Sequence, residues 1–163
     1  MSINKLILII LSLILMEEIH AENWLYTNPF APEKNTILIT SHPNKITLNN
    51  HRRFDWHTCK DDQYICLLSG GMSFVFPKKL ANEKQWSNHD ITYSILGKEE
   101  LTLLGTKVPN VFIISASYKG EKYQYFLYSV KKGIIAISGP SKELPYVLIY
   151  EGRCGFGASI DCK

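Results

Sequence analysis

The chain has 163 residues, 45% of them hydrophobic, with 18 Lys+Arg against 15 Asp+Glu and a formal net charge of +3. That length holds one ordinary domain and not two full-sized ones. The apolar content and the small charge exclude a disordered chain, which needs low hydrophobicity and high net charge.

In chain order, the first segment reads as a targeting signal. Lys5 precedes an apolar run of 11 residues, 6–16, broken only by Ser12. A membrane-spanning helix needs about 20 apolar residues, whereas the hydrophobic region of a secretory signal needs roughly 7–15. The Ile19-His20-Ala21 ending places cleavage after Ala21. Residues 1–21 are therefore expected to be a signal peptide and 22–163 a single mostly-β domain. Acidic Glu17 and Glu18 and bulky Ile19 fit such a signal poorly, so an uncleaved N-terminal anchor is the alternative. Cleavage removes Lys5, Glu17 and Glu18, so that 18 basic and 15 acidic residues become 17 and 13. No later run reaches membrane length, and no span is expected after the signal. The expected location is secreted or periplasmic.

Cysteine usage agrees with export. Cys59, Cys66, Cys154 and Cys162 all follow residue 21, and an even number in an oxidising compartment reads as two disulfides. Three connectivities are open. The spacing favours the local pairs Cys59–Cys66 and Cys154–Cys162 over pairings that cross the chain. A local loop this short is worth roughly 2.5 kcal/mol and a loop near 100 residues roughly 4.7. The cluster His51, His57, Cys59 and Cys66 lacks zinc-finger spacing, so neither a metal nor any other cofactor is expected.

After the signal, residues 22–35 carry Pro29 and Pro32 and no clear period, and read as an extended or irregular lead-in. Residues 36–40 and 45–48 are short β-favouring runs. Residues 64–68 and 72–76 flank Ser69-Gly70-Gly71 and predict a hairpin. The stretch 77–86 (PKKLANEKQW) is the best helix candidate, with Pro77 near its first turn; its length is marginal for a helix, and a loop is the alternative. Residues 91–96 and 101–104 read as two strands separated by Gly97-Lys98. Strands at 111–118, 122–130, 134–138 and 146–150 follow, punctuated by Gly120, Gly133 and Gly139-Pro140. Strands recurring about every 10–12 residues with Gly turns predict an antiparallel meander. The expected fold is mainly β, disulfide-stabilised, as one meander sheet or a small sandwich or barrel. It becomes α+β should the helix candidate form.

One stretch could carry chemistry. If residues 51–57 are extended, His51, Arg53, Asp55 and His57 share one face, with Arg52, Phe54 and Trp56 on the other. Two imidazoles beside a carboxylate and a guanidinium could supply an acid–base pair and an anion-stabilising charge. A strand burying Phe54 and Trp56 predicts the same polar face without any function. Ser129-Val130-Lys131-Lys132 matches S-x-x-K but falls on a strand and turn rather than a helix. G-x-S-x-G, H-E-x-x-H, the P-loop and the EF-hand loop are absent from the sequence. The pairs Arg52-Arg53, Lys78-Lys79 and Lys131-Lys132 are dispersed, and the pI of about 8.6 is below the nucleic-acid-binding footprint. No nucleic-acid partner is expected.

Tyr123, Tyr125 and Tyr128 lie close together in the 122–130 strand, and tyrosine is enriched at recognition surfaces. Two functions follow. The first is an exported binding module (an inhibitor, an immunity-type protein or an envelope accessory factor) engaging a protein partner in the envelope or outside the cell through those tyrosines. The alternative is a small exported hydrolase or nuclease using His51, Arg53, Asp55 and His57. The sequence leaves open whether the chain is an enzyme.

Overall fold

The computed structural model describes residues 22–29, 36–42, 45–48, 63–69, 72–79, 84–103, 105–139, 147–150 and 154–159. Every regular element among them is a strand. These are β1 (Glu22–Thr27), β2 (Thr36–His42), β3 (Lys45–Leu48), β4 (Tyr64–Ser69), β5 (Met72–Pro77) and β6 (Gln85–Asn88). They continue as β7 (Ile91–Leu103), β8 (Thr106–Tyr118), β9 (Glu121–Ser129), β10 (Gly133–Ser138) and β11 (Val147–Tyr150).

Nine of these strands form one sheet, in the order β3-β2-β1-β11-β10-β9-β8-β7-β6, with every pairing antiparallel. The run from β6 to β11 is the expected meander, and β11 is then joined by β1. The remaining pair, β4–β5, is the hairpin expected around Ser69-Gly70-Gly71. β8 turns into β9 through Lys119 and Gly120, both with positive φ (48° and 86°). Tyr118 pairs directly with Glu121 across that turn. A two-residue connection with left-handed backbone at both positions matches the twist of the strands it joins.

Alternation along the strands divides the sheet into two faces. On the inner face the β4–β5 hairpin packs through Phe74 and Phe76. The Phe74 ring meets Phe126 at 4.9 Å and Tyr128 at 5.3 Å, and Phe76 meets Tyr128 at 4.3 Å and Phe112 at 5.6 Å. Trp86 of β6 closes this cluster. Its indole stacks on Tyr93, meets Phe76 edge-on, and donates from Nε1 to the Val75 carbonyl at 2.8 Å. Aromatic pairs in such offset and edge-on geometries contribute about 0.5–1.5 kcal/mol each beyond their buried area.

One sequence expectation is sharpened and two are corrected. Residues 22–27 form a paired strand, because Trp24 and Tyr26 alternate toward the core ahead of Pro29. The 77–86 stretch is strand at both described ends, with Pro77 finishing β5 and Trp86 inside β6. It lacked the apolar spacing of a helix face, and its one large apolar ring is held by β5. Gly97-Lys98 does not separate two strands. β7 runs 13 residues, and its pairing with β8 shifts register between Ile95 and Gly97 and again between Glu99 and Leu101. Those shifts are β-bulges, which bend a strand without ending it.

Candidate functional site

The outer face of the sheet has two parts with different chemistry. Toward the β9–β10 turn it is apolar. Val108, Val111 and Ile135 are buried there together, with Leu101, Leu103 and Leu127 packed against them. The bulge between Ile134 and Ala136 leaves Ile135 out of the ladder and turns it to this side. The far part of the β7–β8 hairpin supplies Leu101, Leu103 and Val108, so this half carries its own small core.

The other half is built of short polar side chains. One register row runs Gln85–Ser94–Ser115–Tyr125–Ser138 across β6, β7, β8, β9 and β10. The next runs Ser87–Thr92–Ser117–Lys122 across β6 to β9. Lys122 apart, these residues alternate with Trp86, Tyr93, Ala116, Gln124 and Phe126 of the inner face, which fixes their direction outward; a register shift between Ala116 and Ser117 brings Lys122 opposite Ser117. Neighbours in a row are about 4.8 Å apart at the backbone. Ser87 and Gln85 are exposed, Thr92, Ser94, Ser117, Tyr125 and Ser138 are half-buried, and Ser115 beneath them is buried. The Ser87 and Thr92 hydroxyls lie 3.3 Å apart. Lys122, at the rim, is the single ionisable group in these two rows apart from the Tyr125 phenol.

The three tyrosines of β9 do not share an environment. Tyr128 is 1% exposed and points to the inner face, where its hydroxyl donates to the Gly157 carbonyl at 3.0 Å. It is core, and burial raises its phenol above the usual tyrosine range. Tyr125 points outward and is half-buried. The Tyr123 side chain lies outside the described atoms.

Sequence reasoning did not anticipate the work of Tyr26. Its hydroxyl donates to the Ile134 carbonyl at 2.9 Å and accepts from the Phe156 amide at 3.0 Å. Desolvation, opposed by the bond from Phe156 and reinforced by neighbouring Tyr150, drives its phenol pKa up. This relay holds residues 154–159 against β10, together with Ile134 N–H to Phe156 at 2.8 Å and Gly155 N–H to Lys132 at 2.7 Å. A second buried polar group ties the hairpin to the sheet. The Ser73 and Tyr93 hydroxyls are 2.5 Å apart, and Gln124 Oε1 accepts from the Ser73 amide at 3.4 Å.

His51, Arg53, Asp55 and His57 lie outside the described residues, as do Cys59, Cys162 and the 1–21 segment. Cys66 on β4 and Cys154 ahead of the C-terminal loop are both disulfide-bonded, and no described cysteine is free. Among the described residues no group of three or more His, Cys, Asp or Glu could hold a metal ion. No helix there is long and apolar enough to cross a membrane. Comparison with protein-family models, with curated proteins and with solved structures found no match to the chain.

Proposed function

We propose that the chain is an exported, disulfide-stapled binding module that presents the polar half of its outer face, centred on Tyr125, to a partner in the envelope or outside the cell. The observation that carries this reading is the composition of that face. Two adjacent rows between β6 and β10 hold Ser, Thr, Gln and one tyrosine, with Lys122 at the rim. Tyrosine offers rigid amphipathic area, and serine offers adaptable hydrogen bonding at little entropic cost, which is the pairing that recognition surfaces use. The inner face, with its interlocked aromatic rings, is committed to holding the fold.

The export reading rests on the 6–16 apolar run and the cysteine usage. In the same reading the staples are Cys59–Cys66 and Cys154–Cys162. The first would secure the approach to the hairpin and the second the loop that Tyr26 and Tyr128 hold in place. The test is capture of partners from the envelope and culture fluid with the wild-type protein and with Tyr125→Ala and Ser117→Lys variants. Retention of one partner by the wild type and its loss from both variants, at unchanged thermal stability, is the expected result. Equal retention by all three proteins would remove the outer face from the function.

A further inference from the structure

Resting on that reading, we infer that the ligand of the outer face is a neutral polyhydroxylated chain, a glycan rather than a protein or a nucleic acid. The argument starts from charge. Across two rows and five strands, Lys122 at the rim is the only charged side chain. A cationic partner laid on these rows would lose hydration and find nothing to pair with, and an anionic one would find only Lys122 at the rim, which is costly. A neutral partner has no such penalty.

Hydrogen-bonding capacity is next. Ser87, Thr92, Ser94, Ser117 and Ser138 each carry a hydroxyl that both donates and accepts, and Gln85 adds an amide that does the same. A ligand whose own groups are hydroxyls, each equally able to donate or accept, can satisfy such a face in either sense along its length. The spacing is periodic, because strand neighbours recur about every 4.8 Å. A repeating chain laid across the strands therefore meets a repeating row of partners.

Tyr125 completes the match. It sits in the middle of its row, between Ser115 and Ser138, and offers one aromatic body against which the apolar side of a sugar ring can lie while its phenol stays in the hydrogen-bonding plane. A protein interface draws its energy from clusters of Trp, Tyr and Arg, and these rows provide one such residue. Short side chains around a single ring make a shallow platform, suited to a linear polymer more than to a knob from a protein surface. Part of the tyrosine content that points to a protein partner serves the core instead. Tyr26, Tyr93 and Tyr128 are all buried in the core.

The experiment is titration calorimetry of the purified full chain with neutral oligosaccharides derived from chitin, cellulose, starch and mannan, with Tyr125→Ala and Ser117→Lys alongside. Thermal melts establish that the variants fold, and Ser117→Lys keeps the test sharp if loss of the Tyr125 ring weakens the sheet. Saturable binding of at least one oligosaccharide, weakened about tenfold or more by each variant, is the expected result. Absence of binding to every oligosaccharide overturns the glycan assignment. If the variants then still lose a captured protein partner, the binding face stands and its ligand is a protein. Oligosaccharide binding that neither variant changes overturns the placement of the site on this face.

Discussion

Gly155 is where one added methyl group should do the most damage. An ideal Cβ there would lie 1.8 Å from the Ile134 carbonyl oxygen, 2.8 Å from its carbon and 2.7 Å from the Tyr26 hydroxyl. Ile134 belongs to β10, which is hydrogen-bonded to β9 on one side and β11 on the other, so its backbone cannot step aside as a rotamer would. The loop must lift instead. Lifting strains the Gly155–Lys132, Ile134–Phe156 and Phe156–Tyr26 hydrogen bonds together. At about 1 kcal/mol net each, with partial exposure of the Phe156 ring added, Gly155→Ala should cost about 3–5 kcal/mol. Urea unfolding at fixed pH measures this as a lower midpoint at unchanged slope. Gly105→Ala is the control. Its Cβ would meet nothing within 4 Å, and its φ is +79°, so it should incur only backbone strain of about 1–2 kcal/mol. If Gly155→Ala costs no more than Gly105→Ala, the close approach is not what fixes the C-terminal loop.

Other outcomes follow from the same geometry. Tyr26 and Tyr128 hold their protons more tightly folded than unfolded, so their contribution is complete below about pH 10 and is lost as pH rises further. Melting temperature should fall in that alkaline range, and a Tyr26→Phe/Tyr128→Phe double variant should show a shallower fall. Trp86→Phe should lose about 1–2 kcal/mol, because the Val75 carbonyl loses its donor; a melt checks it. Glu100→Gln should move stability by less than about 0.5 kcal/mol in the same assay, since its 3.7 Å pair with Lys107 is well exposed. Reducing the disulfides should lower stability by about 2–5 kcal/mol per bond, and a melt insensitive to reductant would count against the staples.

The strands most legible in the sequence were those whose partners follow closely, as in the β4–β5 hairpin and the β8–β9–β10 meander. β1 was hidden by Pro29 and Pro32, although the inward alternation of Trp24 and Tyr26 was a readable signal. Gly97 looked like a turn, because a glycine in a bulge and a glycine in a turn are locally alike. Only the continued pairing with β8 on both sides distinguishes them. The polar outer rows were illegible for a similar reason. Ser87, Thr92, Ser94, Ser115, Ser117 and Ser138 are scattered over some fifty positions, and it is the register across five strands that assembles them.

Tyr125 and Tyr128 stand three residues apart on β9 and, by the alternation of the strand, face opposite ways. The two should respond differently to one change. Tyr128→Ser removes a ring packed on Phe74 and Phe76 and leaves the Gly157 carbonyl without its donor, a loss of about 3–5 kcal/mol. Tyr125→Ser removes a half-buried ring from the outer rows, and about 1 kcal/mol is expected. Binding should behave inversely. At a temperature where both variants remain folded, Tyr125→Ser should abolish ligand retention while Tyr128→Ser keeps it. Paired melts and binding titrations on the two variants read both quantities at once. Equal destabilisation would mean that the outer rows are packed like the inner face, and a surface needed for packing is not free to recognise a ligand.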